Sequence, residues 1–343
     1  MAYTTIDDPT IYFNTKLYTG TGSELAITGV GFQPDWVWSK NRDQSEGHRL
    51  FDSVRGATKF IRSNNSDAEG TAAQTLKSFD SDGVTIGTDA DMNTSSEKNV
   101  LWNWLAGGSA SSNSNGTITS SVSASTTAGF SVVSYTGTNN NQTVGHGLGA
   151  APKVIILKNR STTNNWCVGH GSLGFTKHLA LNETDAVGTS SVRFQDTAPT
   201  STVYSVGAAG ETNGSGNSII AYCFVEKKGY SKFGSYTGND NANGTFVYTG
   251  FAPAWVMIKR TNSTNDWIIL DIKRNPINPS DERILANSGN AASTANTMVD
   301  FLSNGFKPRS TYGGINGASD NFIYMAFAES PFVNSNGIPN NAR

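Results

Sequence analysis

The chain has 343 residues, 36% hydrophobic and only 15% charged, with a formal net charge of −2 and a pI near 6.1. That balance argues against a nucleic-acid binder, which needs a concentrated basic face, and no stretch is long and apolar enough to insert in a membrane as a helix. Polar surface must come from Ser, Thr, Asn and the 36 glycines, a composition suited to short strands joined by tight turns.

Residues 1–17 read as a lead-in. Positions 1–10 are polar and acidic, without the basic start and apolar centre of a secretory signal peptide, which predicts synthesis in a cytoplasm. Ile11-Tyr12-Phe13 and Leu17 suggest a first strand. The apolar run Trp36-Val37-Trp38 follows, then the hairpin signal Asp82-Gly83 and a closing strand over 100–105. Residues 107–116 are built from Gly, Ser, Asn and one Ala and read as a flexible linker or long surface loop. Phe130 to Ser134 alternate loosely, ahead of Val154-Ile155-Ile156-Leu157 and a closing strand over 219–225. Trp255-Val256-Met257-Ile258, the signal Asn304-Gly305 and an apolar stretch over 322–328 complete the series. Consecutive apolar residues place hydrophobic side chains on both faces of a strand, so Ile156 and Ile258 are predicted to be buried. Residues 68–78 and 280–286 are the helix candidates.

These elements form a threefold internal repeat. Tyr18-Thr19-Gly20, Tyr135-Thr136-Gly137 and Tyr236-Thr237-Gly238 are each followed, 16 or 17 residues after the tyrosine, by Pro34, Pro152 or Pro253 heading an apolar run. Each run reaches a lysine (Lys40, Lys158, Lys259), and eight residues later stands His48, Trp166 or Trp267. Fixed order at fixed offsets predicts an all-β protein of three tandem degenerate repeats, each a small antiparallel β-sandwich, jelly-roll-like or immunoglobulin-like. The expected division is 1–106 for the lead-in strand and first sandwich, 107–128 for the linker, 129–228 and 229–331 for the second and third sandwiches, and 332–343 for an irregular tail. The short second junction predicts that sandwiches two and three sit closer together than one and two.

No constellation of catalytic residues emerges. Asp80, Asp82, Asp89 and Asp91 cluster around turns but lack calcium-loop spacing. His146, in Gly145-His146-Gly147-Leu148-Gly149, is followed by a strand where a phosphate loop would need a helix. His170 and His178 lie near Cys167 without metal-ligand spacing, and Cys167 and Cys223 read as small buried hydrophobes rather than a disulfide. Asp52, Asp271, Glu226 and Glu329 are the carboxylates that a glycoside hydrolase would draw on, but strand ends account for them equally well. Trp36, Trp38, Trp102 and Trp104 read as core rather than a sugar platform, because the repeat keeps these positions apolar while changing their shape. Catalytic, cofactor and metal residues are therefore expected to be none, and no residue is singled out as binding a ligand.

The segments 14–20, 30–38 and 52–56, the phrase Gly129-Phe130-Ser131-Val132-Val133-Ser134-Tyr135-Thr136-Gly137, the 145–149 glycine turn and the ending Ala328-Glu329-Ser330-Pro331-Phe332 resemble a repeat family of tailed, notably marine, bacteriophages. The resemblance spans nearly the whole chain, with His48 as a departure from the Trp of its siblings. It implies a non-enzymatic virion structural protein made in the host cytoplasm, a tail fibre or spike component for host attachment. Alternatives are a capsid decoration or connector, a lectin-like glycan-binding adhesin and, last, a tailspike glycan hydrolase. The expected partners are other virion proteins, further copies in a homo-oligomer such as a trimer, and a host surface glycan or protein. No nucleic acid and no membrane insertion are expected.

Overall fold

The computed structural model describes residues 3–340, so the first two residues of the lead-in and the last three of the expected tail lie outside the described residues. The chain is all-β, with 41% of residues in strands and 4% in helices. Three large antiparallel sheets dominate. The first runs, in spatial order, Phe13–Thr19, Lys98–Trp104, Trp36–Asn41 and Arg49–Asp52. The second places Phe130–Thr136, Ser218–Phe224, Val154–Asn159 and Cys167–His170 in the same succession, and the third Ser231–Thr237, Asn321–Pro331, Phe251–Arg260 and Trp267–Asp271, extended by Ile284–Leu285. Registers match as well: Trp36 pairs with Trp104, Val154 with Phe224, and Trp255 with Phe327.

Each large sheet packs one face against a small sheet. The small sheets are Leu25–Thr28 with Gly83–Ile86 and Leu76–Asp80, then Gln142–Gly145 with Val203–Val206, then Val247–Tyr248 with Gly305–Pro308 and Val299–Leu302. Three private cores fill these sandwiches: Val37, Phe51 and Leu101 in the first, Ile155, Leu157 and Cys167 in the second, Val256, Ile258 and Ile268 in the third. The hairpins signalled by Asp82-Gly83 and Asn304-Gly305 form as expected. At Gly83 a φ of +145° and a close approach to the Ile27 carbonyl leave no space for a Cβ.

The opposite faces of the three large sheets meet in one shared core. Alternate residues supply it: Trp36, Trp38, Trp102 and Trp104; Val154, Ile156, Tyr222 and Phe224; Trp255, Met257, Met325 and Phe327. Trp36 stacks on Tyr222 at 4.4 Å, Phe13 on Phe327 at 5.2 Å, and Phe224 meets Phe327 edge-on at 5.9 Å, so every pair of sandwiches is in contact. This explains the unbroken apolar runs, because one side chain faces the private core and the next the shared one. Ile156 and Ile258 are both buried, one in each kind of core.

Two expectations are corrected. Residues 107–128 are not a flexible linker: Ser111–Asn113 and Ser120–Ser125 are strands that extend the second sheet beyond Phe130–Thr136. The polar side chains hide that role, but backbone pairing at a sheet edge needs no apolar payload, and Val122 supplies a buried contact. The first and third sandwiches both contact the second. Nor are 68–78 and 280–286 helical; they contribute Gly70–Thr71, Leu76–Asp80 and Ile284–Leu285, short strands whose Thr, Phe and Ile suit a pleated surface. The described helices are single turns, Ala90–Asn93, Ser191–Phe194 and Gly210–Asn213, and a short 3-10 turn, Pro9–Ile11.

Candidate functional site

The Tyr-Thr-Gly corners make one set of bonds three times. The hydroxyls of Tyr18, Tyr135 and Tyr236 donate to the carbonyls of Met92, Thr212 and Ile315 at 2.5–2.7 Å. A Cβ on Gly20, Gly137 or Gly238 would lie 2.1–2.3 Å from a backbone oxygen of the facing turn, so only glycine fits. The next amide donates to the side-chain oxygen of Asn93, Asn213 or Asn316, each wholly buried. These asparagines escape sequence reading because they lie 75 to 80 residues after the tyrosine in unlike surroundings; the Asn-Thr and Asn-Gly pairs ahead of each closing strand were the available signal.

The repeated lysines sit at the seams between sandwiches. Lys40, Lys158 and Lys259 are fully buried, and burial pulls each ammonium down to about 8. Lys158 donates to the Asn159 and Asn164 carbonyls and, across the seam, to Ser66 of the first sandwich; Lys259 donates to Asn265 and, across its seam, to Thr184 of the second. Among the described residues Lys40 donates only to its own neighbours, Asn41 and Gln44.

Trp166, Trp267 and His48 close a ring around the molecule. The Trp166 indole donates to the Arg62 carbonyl of the first sandwich and Trp267 to Ala180 of the second, both at 2.9 Å. At the third seam the His48 Nε2 faces Leu285 O of the third sandwich at 3.0 Å, while its Nδ1 accepts from the Trp38 indole at 2.7 Å. Because Nδ1 accepts, the proton sits on Nε2 and the ring is neutral; burial, with Lys40 nearby, pushes its pKa down to about 3. Backbone bonds repeat the cycle: Glu69 N to Arg160 O, Val187 N to Thr261 O, and Ala292 N to Arg42 O.

Two of the carboxylates that a hydrolase would draw on, Asp52 and Asp271, are also committed to seams. Asp52 takes the Arg55 guanidinium and the Tyr222 hydroxyl, and Asp271 takes Arg274 and the Trp102 indole. His170 holds the matching place in the second sandwich, facing the Tyr324 carbonyl at 3.3 Å, and burial pushes it down to about 4. Asp80 accepts from Ser78 and Thr85, Asp82 from the Gly29 and Gly31 amides, and Asp89 and Asp91 lie against Arg49, so the four do not converge. His146 faces the Thr200 carbonyl, and His178 lines a cavity with Arg193 and Glu211. Both cysteines are free and buried, and burial raises their thiols. Among the described residues no group of three or more His, Cys, Asp or Glu is placed to hold a metal ion.

One surface feature is not absorbed by the scaffold. Along the outer edge of Ser231–Thr237 three adjoining cavities of about 560, 370 and 420 Å³ share walls at Glu226, Lys232, Ser172 and Ser235. Tyr248, 53% exposed, stands at one end beside Lys228, Lys153 borders the middle, and Lys177 with Asn262 closes the other end. Glu226 is the sole carboxylate among the lining residues and accepts from the Phe233 amide at 2.8 Å. Glu329 lies half-buried on the neighbouring Asn321–Pro331 strand. At the matching edge of the second sheet Ser120–Ser125 pairs with Phe130–Thr136, and the cavity of about 360 Å³ there is lined by Ser112, Ser120, Ser121, Ser134 and Thr136 without a charged side chain.

A family described as a domain of unknown function, DUF7483, matches residues 8–331. The chain belongs to this family. The match runs from the lead-in to the end of the last strand and so takes in all three sandwiches and every seam between them. No curated protein matches the chain.

Proposed function

We propose that the chain is three diverged copies of one β-sandwich unit, fused into a single closed body, and that it is a non-enzymatic structural protein of a phage virion, displayed on the particle as a tail-fibre or spike component that contacts the host. The observation that carries the fused-body reading is the cyclic bond made by Trp166, Trp267 and His48, one residue per copy reaching the same carbonyl of the preceding copy. A trimer of separate chains would make such a contact between subunits; here one polypeptide makes it internally, so the single chain takes the part that a homotrimer was expected to play. The polar residues that the repeat retains are spent on holding this body together, which favours a rigid contact surface over a catalytic cleft. Placement on a virion rests on the resemblance of the repeat phrases to phage proteins. Gold-labelled antibodies against the purified chain test it on intact particles. Label at the tail end is expected. Label over the head shell would move the chain to a decoration role, and unlabelled particles would overturn the reading.

A further inference from the structure

We infer that the groove along Ser231–Thr237 is a binding site for an extended acidic polysaccharide; this rests on the host-contact reading above and names its ligand class. The groove follows a seven-residue strand, roughly 20 Å long, enough for several sugar rings. Its charge is the first argument. Lys153, Lys177, Lys228 and Lys232 line it against the lone carboxylate of Glu226, in a chain whose net charge is −2. None of the four lysines is in an ion pair among the described residues, and Lys228 lies over the Tyr3 ring at 4.3 Å. Their ammonium groups are therefore free to meet carboxylates or sulfates spaced along a chain.

The repeat supplies the second argument. By strand register the place of Lys153 is held by Asp35 and Ala254 in the other sandwiches, and that of Lys232 by Asn14 and Ser131. The buried lysines recur in all three sandwiches; Lys153 and Lys232 do not. Lys153 and Lys232 are thus particular to this place, where the third sheet lacks the extra strands that cover the second. The third argument is the remaining lining. Ser172, Ser235 and Asn262 offer hydroxyl and amide partners, and the exposed Tyr248 offers a flat ring for the apolar face of a pyranose.

The test is calorimetric titration of the full chain with oligogalacturonate, using dextran of equal length as the uncharged control and a single-stranded oligonucleotide as a second polyanion. Saturable binding of oligogalacturonate that weakens with added salt is expected, with dextran far weaker. The Lys153→Gln/Lys232→Gln pair should lower affinity about tenfold, and Tyr248→Ala about fivefold. Glu226→Gln, which keeps an acceptor for the Phe233 amide, should raise affinity about threefold by removing the one like charge; a purely structural role would not give that gain. Three results would overturn the proposal: no saturable oligogalacturonate binding, unchanged affinity in the double variant, or equal affinity for the oligonucleotide. If the chain still adheres to host cells and blocks particle adsorption while the double variant does so equally well, the groove assignment fails and the attachment reading stands. If neither adhesion nor particle labelling is seen, the attachment reading fails with it.

Discussion

Two of the three seams are closed by an indole and one by an imidazole. The sandwich that carries His48 has Trp38 in the shared core, where the sandwiches that carry Trp166 and Trp267 have Ile156 and Met257 at the matching place of the sheet. The indole volume has moved from the seam to the core, and His48 bridges the gap by accepting from Trp38 and facing Leu285. The same seam also lacks the lysine crossing found at the other two among the described residues; its bidentate Arg42–Glu282 pair at 2.9 Å has a counterpart in Arg160–Glu69 between the first and second sandwiches. Repeated packing problems are therefore solved by total volume and bond count rather than by fixed residues.

The comparison breaks most severely at the indoles. Trp166→Ala or Trp267→Ala leaves a large hole and an unpaired carbonyl, and should cost about 3–5 kcal/mol in chemical denaturation. A loss below about 1 kcal/mol would show that the seams are not cooperative parts of one core. Next comes His48→Trp, which restores the repeat residue but overfills a space already taken by Trp38; the expected cost is about 1–3 kcal/mol. Adding Trp38→Met should recover most of it, with a favourable coupling in the double-mutant cycle. Independent costs would mean that the two sites do not share one volume.

Much of this body is legible in the chain. The tyrosines stand at corners, and the lysines with Trp166 and Trp267 at seams, while Pro34 and Pro152 precede strands and Pro253 lies inside one. The apolar runs at Val154 and Trp255 are buried on both faces, though their second face meets other sandwiches and not a covering layer of their own. What could not be read was mutual orientation. Only a weak alternation over 117–127 hints at the strand Ser120–Ser125, whose ladder is backbone, and the partners of Trp166 and Lys158 are carbonyls, which every residue has. The groove was invisible for a related reason: its lysines come from positions 153 to 232, gathered only by the third sheet's edge.

Acid should act first on the imidazole seam. The unfolded chain takes a proton on each histidine near pH 6.5, whereas folded His48 resists until about 3 and His170 until about 4. Between those values the unfolded state binds more protons, so stability falls as pH falls from 6.5 toward 3. His48→Gln, whose amide can donate to Leu285 and accept from Trp38, should flatten part of that slope in urea titrations across this range. An unchanged slope would place the acid sensitivity elsewhere.

The smallest effect separates the three lysines. Removing Lys158 or Lys259 by substitution to Met loses a charge-assisted bond across a seam, but also relieves the cost of burying an ammonium, so each should destabilise by about 1–2 kcal/mol. Lys40→Met loses only local bonds to Asn41 and Gln44 and should cost less than about 1 kcal/mol. The pH dependence sharpens this ranking. Each folded lysine releases its proton near pH 8 and each unfolded one near 10.5, so the unfolded state binds more protons in that window and stability rises with pH through it. Above about pH 10 the buried tyrosines, whose hydroxyls are raised by burial, reverse the trend because the unfolded chain loses their protons first. Each Met variant should remove a share of the rise between 8 and 10. Equal destabilisation by all three, measured at pH 7, would show that the crossings to Ser66 and Thr184 add nothing to their seams, and that the Lys40 seam is not the exception its bonds make it.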